Sequence, residues 1–329
     1  MSASPKENSL PRALGQLAGS DLAELMAIAE PFEIADGVLF RQGDVADTMY
    51  VLEDGEIEIL ARTPGDDLVA LGVAGGGAVL GELSLIDDGV RSATARVAKP
   101  ASGWSLSRRA FQMLRAARRP ASAALLSHLS SLTCQRIRAR VIDLAKTLDR
   151  APLPVFIVPA DVTRERWTSI PAMAVDPRTA SLLPFFRELS NEERATLFGC
   201  GAAYSVPRGE RLALAGAMTH STLVVVRGAA ALSIERDGRR ERCGLAPPGR
   251  IASVVASMDG GELALGAAAR EETVILVLER DVLAGLRAAK NDLAFKLEDA
   301  LVNELVHELR LVTGQVSRLA AHGRAHSHS

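Results

Sequence analysis

Short apolar runs interleaved with glycine fill the first part of the chain: "VLF", "MYVL" and "IEIL" alternate with Gly37, Gly43 and Gly55. Runs of three or four apolar residues have strand length, and glycine at each break allows the tight turns of an antiparallel structure. The pattern returns about 172 residues later, where "LAL", "LVVV" and "ALSI" alternate with Gly209, Gly216 and Gly228. A helix-like stretch precedes each set: "LPRALGQLAGSDLAEL" (10–25) and "LPFFRELSNEERATL" (183–197) put polar helix-starting residues before apolar ones. After the first set, Leu125, Leu126, Leu129, Leu132, Ile137, Val141 and Leu144 fall at helical spacing within 121–150. After Leu283, the second half reads as one long helix with a disordered tail.

The repeated order of helix, strands and helix marks an internal duplication. The expected fold class is α+β, mainly β: two tandem antiparallel β-rolls, jelly-roll-like, each flanked by N- and C-terminal helices. The first domain is expected over 10–150 and the second over 183–320. Six of the 15 prolines fall between 152 and 184, so 151–182 reads as a proline-rich linker with short extended pieces.

Composition narrows the function. The formal net charge of −2 argues against a domain built to hold a nucleic-acid backbone. Cys134, Cys200 and Cys243 form no CxxC pair and suit buried thiols in a reducing cytoplasm. The first residues lack the apolar stretch of a signal peptide, and no apolar run approaches a membrane span. No GxSxG, HExxH or Walker motif is present, so no enzyme, cofactor or metal is expected. The histidine-bearing tail "AAHGRAHSHS" reads as a polar end rather than a chelating site.

One segment carries chemistry: "GELSLIDDGVRSATARV", residues 81–97. A glycine opening a short helix leaves backbone N–H groups free to face an anion. Arg91 adds a planar, permanently charged fork suited to phosphate oxygens. Ser92 and Ala93 are small enough to let the backbone approach, and Ser92 can donate its hydroxyl. Glu82 would repel a phosphate, so its carboxylate calls for a hydroxyl donor beside it. The ligand described is one compact anion next to one sugar hydroxyl.

"GELSLIDDGVRSAT", with "GVLFRQGDVADTMYVLEDGEIEIL" before it, resembles the phosphate-binding cassette and β-roll of cyclic nucleotide-binding domains, over roughly 10–150. That family includes catabolite activator proteins, regulatory subunits of cyclic AMP-dependent kinase and cyclic nucleotide-gated channels. The resemblance implies that Glu82 binds the ribose 2′-OH and Arg91 the cyclic phosphate. It further implies contacts from Gly81, Leu83, Ser84, Ser92 and Ala93, with the purine on Val79 and Leu71 under a lid helix that carries Arg136. Serine after the arginine accompanies cyclic AMP in the family and threonine cyclic GMP, so Ser92 points to cyclic AMP, with cyclic GMP the alternative.

In the second half the cassette glycine is expected at Gly249, with Arg250 in place of Glu82 and with Glu262 and Leu263 in place of Arg91. "GELAL" (261–265) sits too far along and reads as strand and turn. One working site is therefore expected, with a degenerate second roll. Neither half leaves room for a winged helix-turn-helix, which argues against DNA binding. Tandem rolls resemble the kinase regulatory subunit, although "MSASPKENSLPRAL" contains no inhibitory arginine-rich segment. The expectation is a cytoplasmic sensor acting through an unidentified protein partner, away from membranes. The alternative is a ligand-independent scaffold built on two rolls. Leu305, Leu309, Val312, Val316 and Leu319 could form a homodimer seam or pack against their own roll.

Overall fold

A computed structural model describes residues 12–62, 68–86, 89–148, 162–171, 177–236, 239–289 and 291–325. The chain divides into two compact units, residues 1–132 with 317–329, and residues 133–316.

The first unit is an antiparallel roll. Its sheet runs β1 (Glu30–Ile34), β6 (Thr94–Ser107), β3 (Thr48–Arg62) and β4 (Leu68–Gly75), with β2 (Val38–Phe40) on β6 and β5 (Val79–Leu80) on β3. The two long strands pair through Val51↔Trp104 and Ile57↔Val97. Between these pairs β3 turns at Gly55, whose φ of +90 suits glycine and where a Cβ would overlap the Pro100 carbonyl oxygen. Leu52, Ile57, Leu80, Ala95 and Ala101 form a buried core, against which Ile34, Leu39, Phe40 and Tyr50 pack. Helix α1 (Gly19–Met26) buries Leu22 and Leu25. Helix α2 (Arg108–Ala116) ends before Pro120, which opens α3 (Pro120–Leu148), a position where its missing N–H costs nothing.

The second unit repeats the plan with its long strands divided. One sheet runs β10 (Ser221–Arg227), β14 (Thr273–Glu279), β8 (Ala202–Val206), β7 (Thr168–Ile170); the other runs β12 (Arg239–Ala246), β11 (Ala230–Arg236), β13 (Gly266–Ala269), β9 (Arg211–Ala213). Strands β10 and β11, separated at Gly228, take the part of β3. Two short helices, α4 (Pro177–Ser181) and α6 (Val255–Asp259), accompany α5 (Asn191–Cys200), which begins with a capping box: Glu193 N–H donates to Ser190 Oγ and Ser190 N–H to the Glu193 carboxylate. Part of the proline-rich span belongs to this unit, since β7 pairs with β8 and Trp167 packs edge-on against Tyr204. Residues 151–161 and 172–176 of that span lie outside the described residues.

The single long helix expected after Leu283 is corrected to two, α7 (Arg280–Ala288) and α8 (Asp292–Ala325). The break falls where the Asn291 side chain accepts the Ala294 N–H and caps the second helix. Leu305, Leu309 and Val312 of α8 are buried within the chain itself; the side chains of Val316 and Leu319 lie outside the described residues. Among the described residues no helix is long and apolar enough to cross a membrane.

Leu52 is fully buried at the centre of the first core. Leu52→Ala is expected to lower the unfolding free energy of that unit by about 2–5 kcal/mol, read by denaturant titration.

Candidate functional site

Strand β5 delivers the chain into a left-handed corner at Gly81 (φ +68), followed by a 3-10 turn, Glu82–Leu85. The turn closes through Ser84 N–H donating to the Gly81 carbonyl at 3.0 Å. Glu82 is 4% exposed and Ser84 is fully buried. Arg108, at the start of α2, secures the turn by donating to the Ser84 and Ala46 carbonyls.

Arg91 is fixed by its backbone first: its N–H donates to Asp44 O (2.8 Å) and its carbonyl accepts from Gly43 N–H (3.0 Å). The residue is only 5% exposed. The guanidinium carbon lies 4.3 Å from the centre of the Phe40 ring and 5.9 Å from that of Tyr50. Nη1 donates to Thr48 O at 2.7 Å, and Nη2 is 3.8 Å from Asp47 Oδ1. Burial lowers the Arg91 pKa from its ordinary value, with Tyr50 and Asp47 acting in the opposite sense. Burial likewise raises that of the Tyr50 hydroxyl, against the pull of Arg91. A Cβ at Gly81 would overlap Arg91 Nη1, so glycine there makes room for the guanidinium.

Arg91 Nε and Ser84 Oγ are buried and have no hydrogen-bond partner among the described residues. A buried donor with no acceptor costs roughly 1–3 kcal/mol, and such atoms mark places where an acceptor can gain.

The structure thus brings Gly81, Glu82, Ser84 and Arg91 into one corner of the first roll. Ser92 is exposed beside Arg91, while Ala93 and Val79 are buried and Leu71 half-buried on β4. Leu83 belongs to the same turn, its side chain lying outside the described residues. Arg136 lies on α3 within residues 133–316, not in the unit that holds the cassette. Sequence reasoning missed Phe40, Asp47, Thr48 and Tyr50, which form the bed of Arg91. Their separation from it along the chain left no spacing signal.

The second roll follows the same backbone plan with the chemistry removed. Gly249 N–H donates to Val225 O and Val225 N–H to Arg250 O, as Gly77 N–H donates to Leu52 O and Leu52 N–H to Ala78 O. Gly249 therefore answers to Gly77, and the expected placement of the cassette glycine there is corrected. The left-handed corner is taken by Ser253, whose φ of +68 equals that of Gly81. Val254 stands where Glu82 does, and Ala256 where Ser84 does. Leu263 replaces Arg91, because its N–H donates to Ala217 O and its carbonyl accepts from Gly216 N–H. "GELAL" accordingly lies opposite residues 89–93. Ala213 and Leu223 occupy the places of Phe40 and Tyr50, set by the pairs Ala213↔Ala267 and Leu223↔Val277 against Phe40↔Ala95 and Tyr50↔Ser105.

Residues 35–118 match the model of the cyclic nucleotide-binding domain family, so the first roll is a cyclic nucleotide-binding domain. Among curated proteins the chain is similar to an acetyltransferase, Pat, of Mycolicibacterium smegmatis. The match is 32% identical over 96 residues, covering 29% of this chain and 28% of that protein. It is also similar to lysophospholipase nte1 of Aspergillus fumigatus, 35% identical over 60 residues, covering 18% of this chain and 4% of that one. The chain therefore spans well under a third of either relative. Among solved structures it is similar to the regulatory domain of Toxoplasma gondii PKA with cAMP (16% identity, 92% of this chain and 97% of that, TM-score 0.35). A cyclic nucleotide-binding domain from Methylobacillus flagellatus is also similar (20% identity, 45% of this chain and 85% of that, TM-score 0.40).

Substitution at the two left-handed corners should have opposite consequences. Gly81→Ala, with a strained φ and a Cβ on Arg91, is expected to destabilise the first unit by about 1–3 kcal/mol. Ser253→Gly relieves the same strain in the second unit and is expected to leave its stability unchanged or raise it. Thermal denaturation of the two variants checks both.

Proposed function

We propose that the protein is a cytoplasmic cyclic nucleotide sensor that binds one nucleotide per chain in the first roll and signals through a protein partner. The observation that carries this reading is the pair of buried, unpartnered donors at the cassette, Arg91 Nε and Ser84 Oγ, beside the glycine corner at Gly81. They suit the acceptor-rich oxygens of a cyclic phosphate. In this reading Arg91 takes the phosphate, helped by Ser92 and by backbone groups at Gly81, Leu83 and Ala93. Glu82 takes the ribose 2′-OH. The base lies against Val79 and Leu71, and Arg136 is reserved for the lid helix. Ser92 favours cyclic AMP over cyclic GMP.

Binding has a definite electrostatic logic. Arg91 is already desolvated and lies on two aromatic faces, so a phosphate meets a charge that has given up its water. Coupling to a partner requires the nucleotide to favour one arrangement of α3 over another, and the difference in affinity sets the size of the response.

Isothermal titration calorimetry tests the reading. One site per chain is expected, with cyclic AMP tighter than cyclic GMP. Arg91→Lys keeps the charge but loses the fork, and is expected to weaken binding by about tenfold to a hundredfold, the value of a charged hydrogen bond. Two sites per chain would contradict the assignment of one working cassette. Absence of binding by either nucleotide to the folded protein would overturn the sensor reading in favour of a ligand-independent scaffold.

A further inference from the structure

The second cassette retains the backbone shape of the first, and its N–H groups are already used. Ile251 N–H donates to Glu304 Oε2 at 3.0 Å and Val254 N–H donates to Glu308 Oε2 at 2.7 Å. Both acids come from α8, one turn apart, so a single helix face presents two carboxylates to one stretch of backbone. Ile251 and Val254 are the counterparts of Val79 and Glu82 in the first roll. Glu304 is balanced by Arg250, which donates to its Oε1 at 2.7 Å. Glu308, 4% exposed, has no such balance: its Oε1 is buried and without a hydrogen-bond partner among the described residues.

We infer that the second cassette is a seat for the chain's own terminal helix, a two-carboxylate latch through Glu304 and Glu308 whose hold on α8 weakens as Glu308 loses its proton. This rests on geometry in the second unit alone and stands whether or not the first roll binds a nucleotide.

Burial decides the direction of the response, and the groups around Glu308 modify it. From its own helix it faces Glu304, which opposes ionisation. From α3 it faces Arg138, which favours ionisation, and the Cys134 thiol. Arg138 is itself committed, donating to both Asp259 oxygens at 2.5 and 2.8 Å and to Glu262 O. From β12 it faces the Cys243 thiol. Burial pushes both thiols up to about 12, so they stay neutral across the working range. His307, beside it on α8, is held below its ordinary value by burial and by Arg250 and Arg310. Burial similarly raises Glu304, against Arg250 and the Ile251 N–H.

The outcome for Glu308 is a carboxyl pushed up to about 7, mainly by burial. The seated helix therefore holds a proton that the released helix, with an ordinary carboxylate in water, gives up. Seating is firmest at acid pH. It weakens as pH rises from the ordinary carboxylate range to about 7, then levels off.

Hydrogen exchange of the full chain tests this, followed in peptides covering 301–312 and 249–256 and corrected for intrinsic exchange rates. Between pH 5.5 and 8.5 protection in both peptides is expected to fall on the order of tenfold or more, together. Glu308→Gln keeps an acceptor for Val254 N–H but cannot ionise at that position, and its protection should not fall with pH as the wild type's does. Wild-type protection that does not change with pH overturns the proposal without recourse to any variant. A Glu308→Gln chain that loses protection as the wild type does overturns it as well.

Discussion

Arg91 lies with its guanidinium on the Phe40 ring, one nitrogen bonded to the Thr48 carbonyl and Asp47 close by. A guanidinium keeps its charge in a protein interior, so burying one forces its surroundings to supply acceptors and aromatic faces. Those demands organise the first roll. Gly81 must lack a side chain to make room, strands β2 and β3 must bring Phe40 and Tyr50 to the same place, and the Gly43–Asp44 backbone must hold the Arg91 main chain. The 3-10 turn that carries Glu82 and Ser84 is positioned by the same corner.

The second roll shows the consequence of removing that charge. With Leu263 in the arginine's backbone frame, an aromatic bed has no use, and Ala213 and Leu223 stand in its place. The corner keeps its left-handed geometry even without glycine, at a strain cost borne by Ser253. The backbone N–H groups left at the cassette still need acceptors, and α8 supplies them. Two rolls of one backbone plan therefore differ at the same corner: a buried arginine with unpartnered donors at Arg91 Nε and Ser84 Oγ in the first, the chain's own carboxylates on backbone N–H groups in the second.

Much of this was legible in the sequence because glycine turns and apolar runs recur at near-constant offset. The duplication, the roll architecture and the cassette residues Gly81, Glu82 and Arg91 follow from local pattern. The loss of the arginine in the second half was also visible, since Leu263 stands at the repeat distance. The second cassette's corner was not, because the sequence signal for a left-handed residue is glycine, and Gly249 offered one at the neighbouring turn while Ser253 carried the strain. The bed of Arg91 was hidden because contacts between residues 40–50 and 91 leave no periodicity. Glu304 and Glu308 were hidden for a further reason: acids on an amphipathic helix ordinarily face water, and only the packing of α8 shows that these two face backbone donors.

A crystal structure of the full chain grown with cyclic AMP would show both cassettes at once. Nucleotide is expected in the first roll alone, its phosphate on Arg91 and its ribose on Glu82, with Glu304 and Glu308 still seated on Ile251 and Val254. Nucleotide in the second roll with α8 displaced, or a nucleotide in the first roll that touches neither Arg91 nor Glu82, would contradict it.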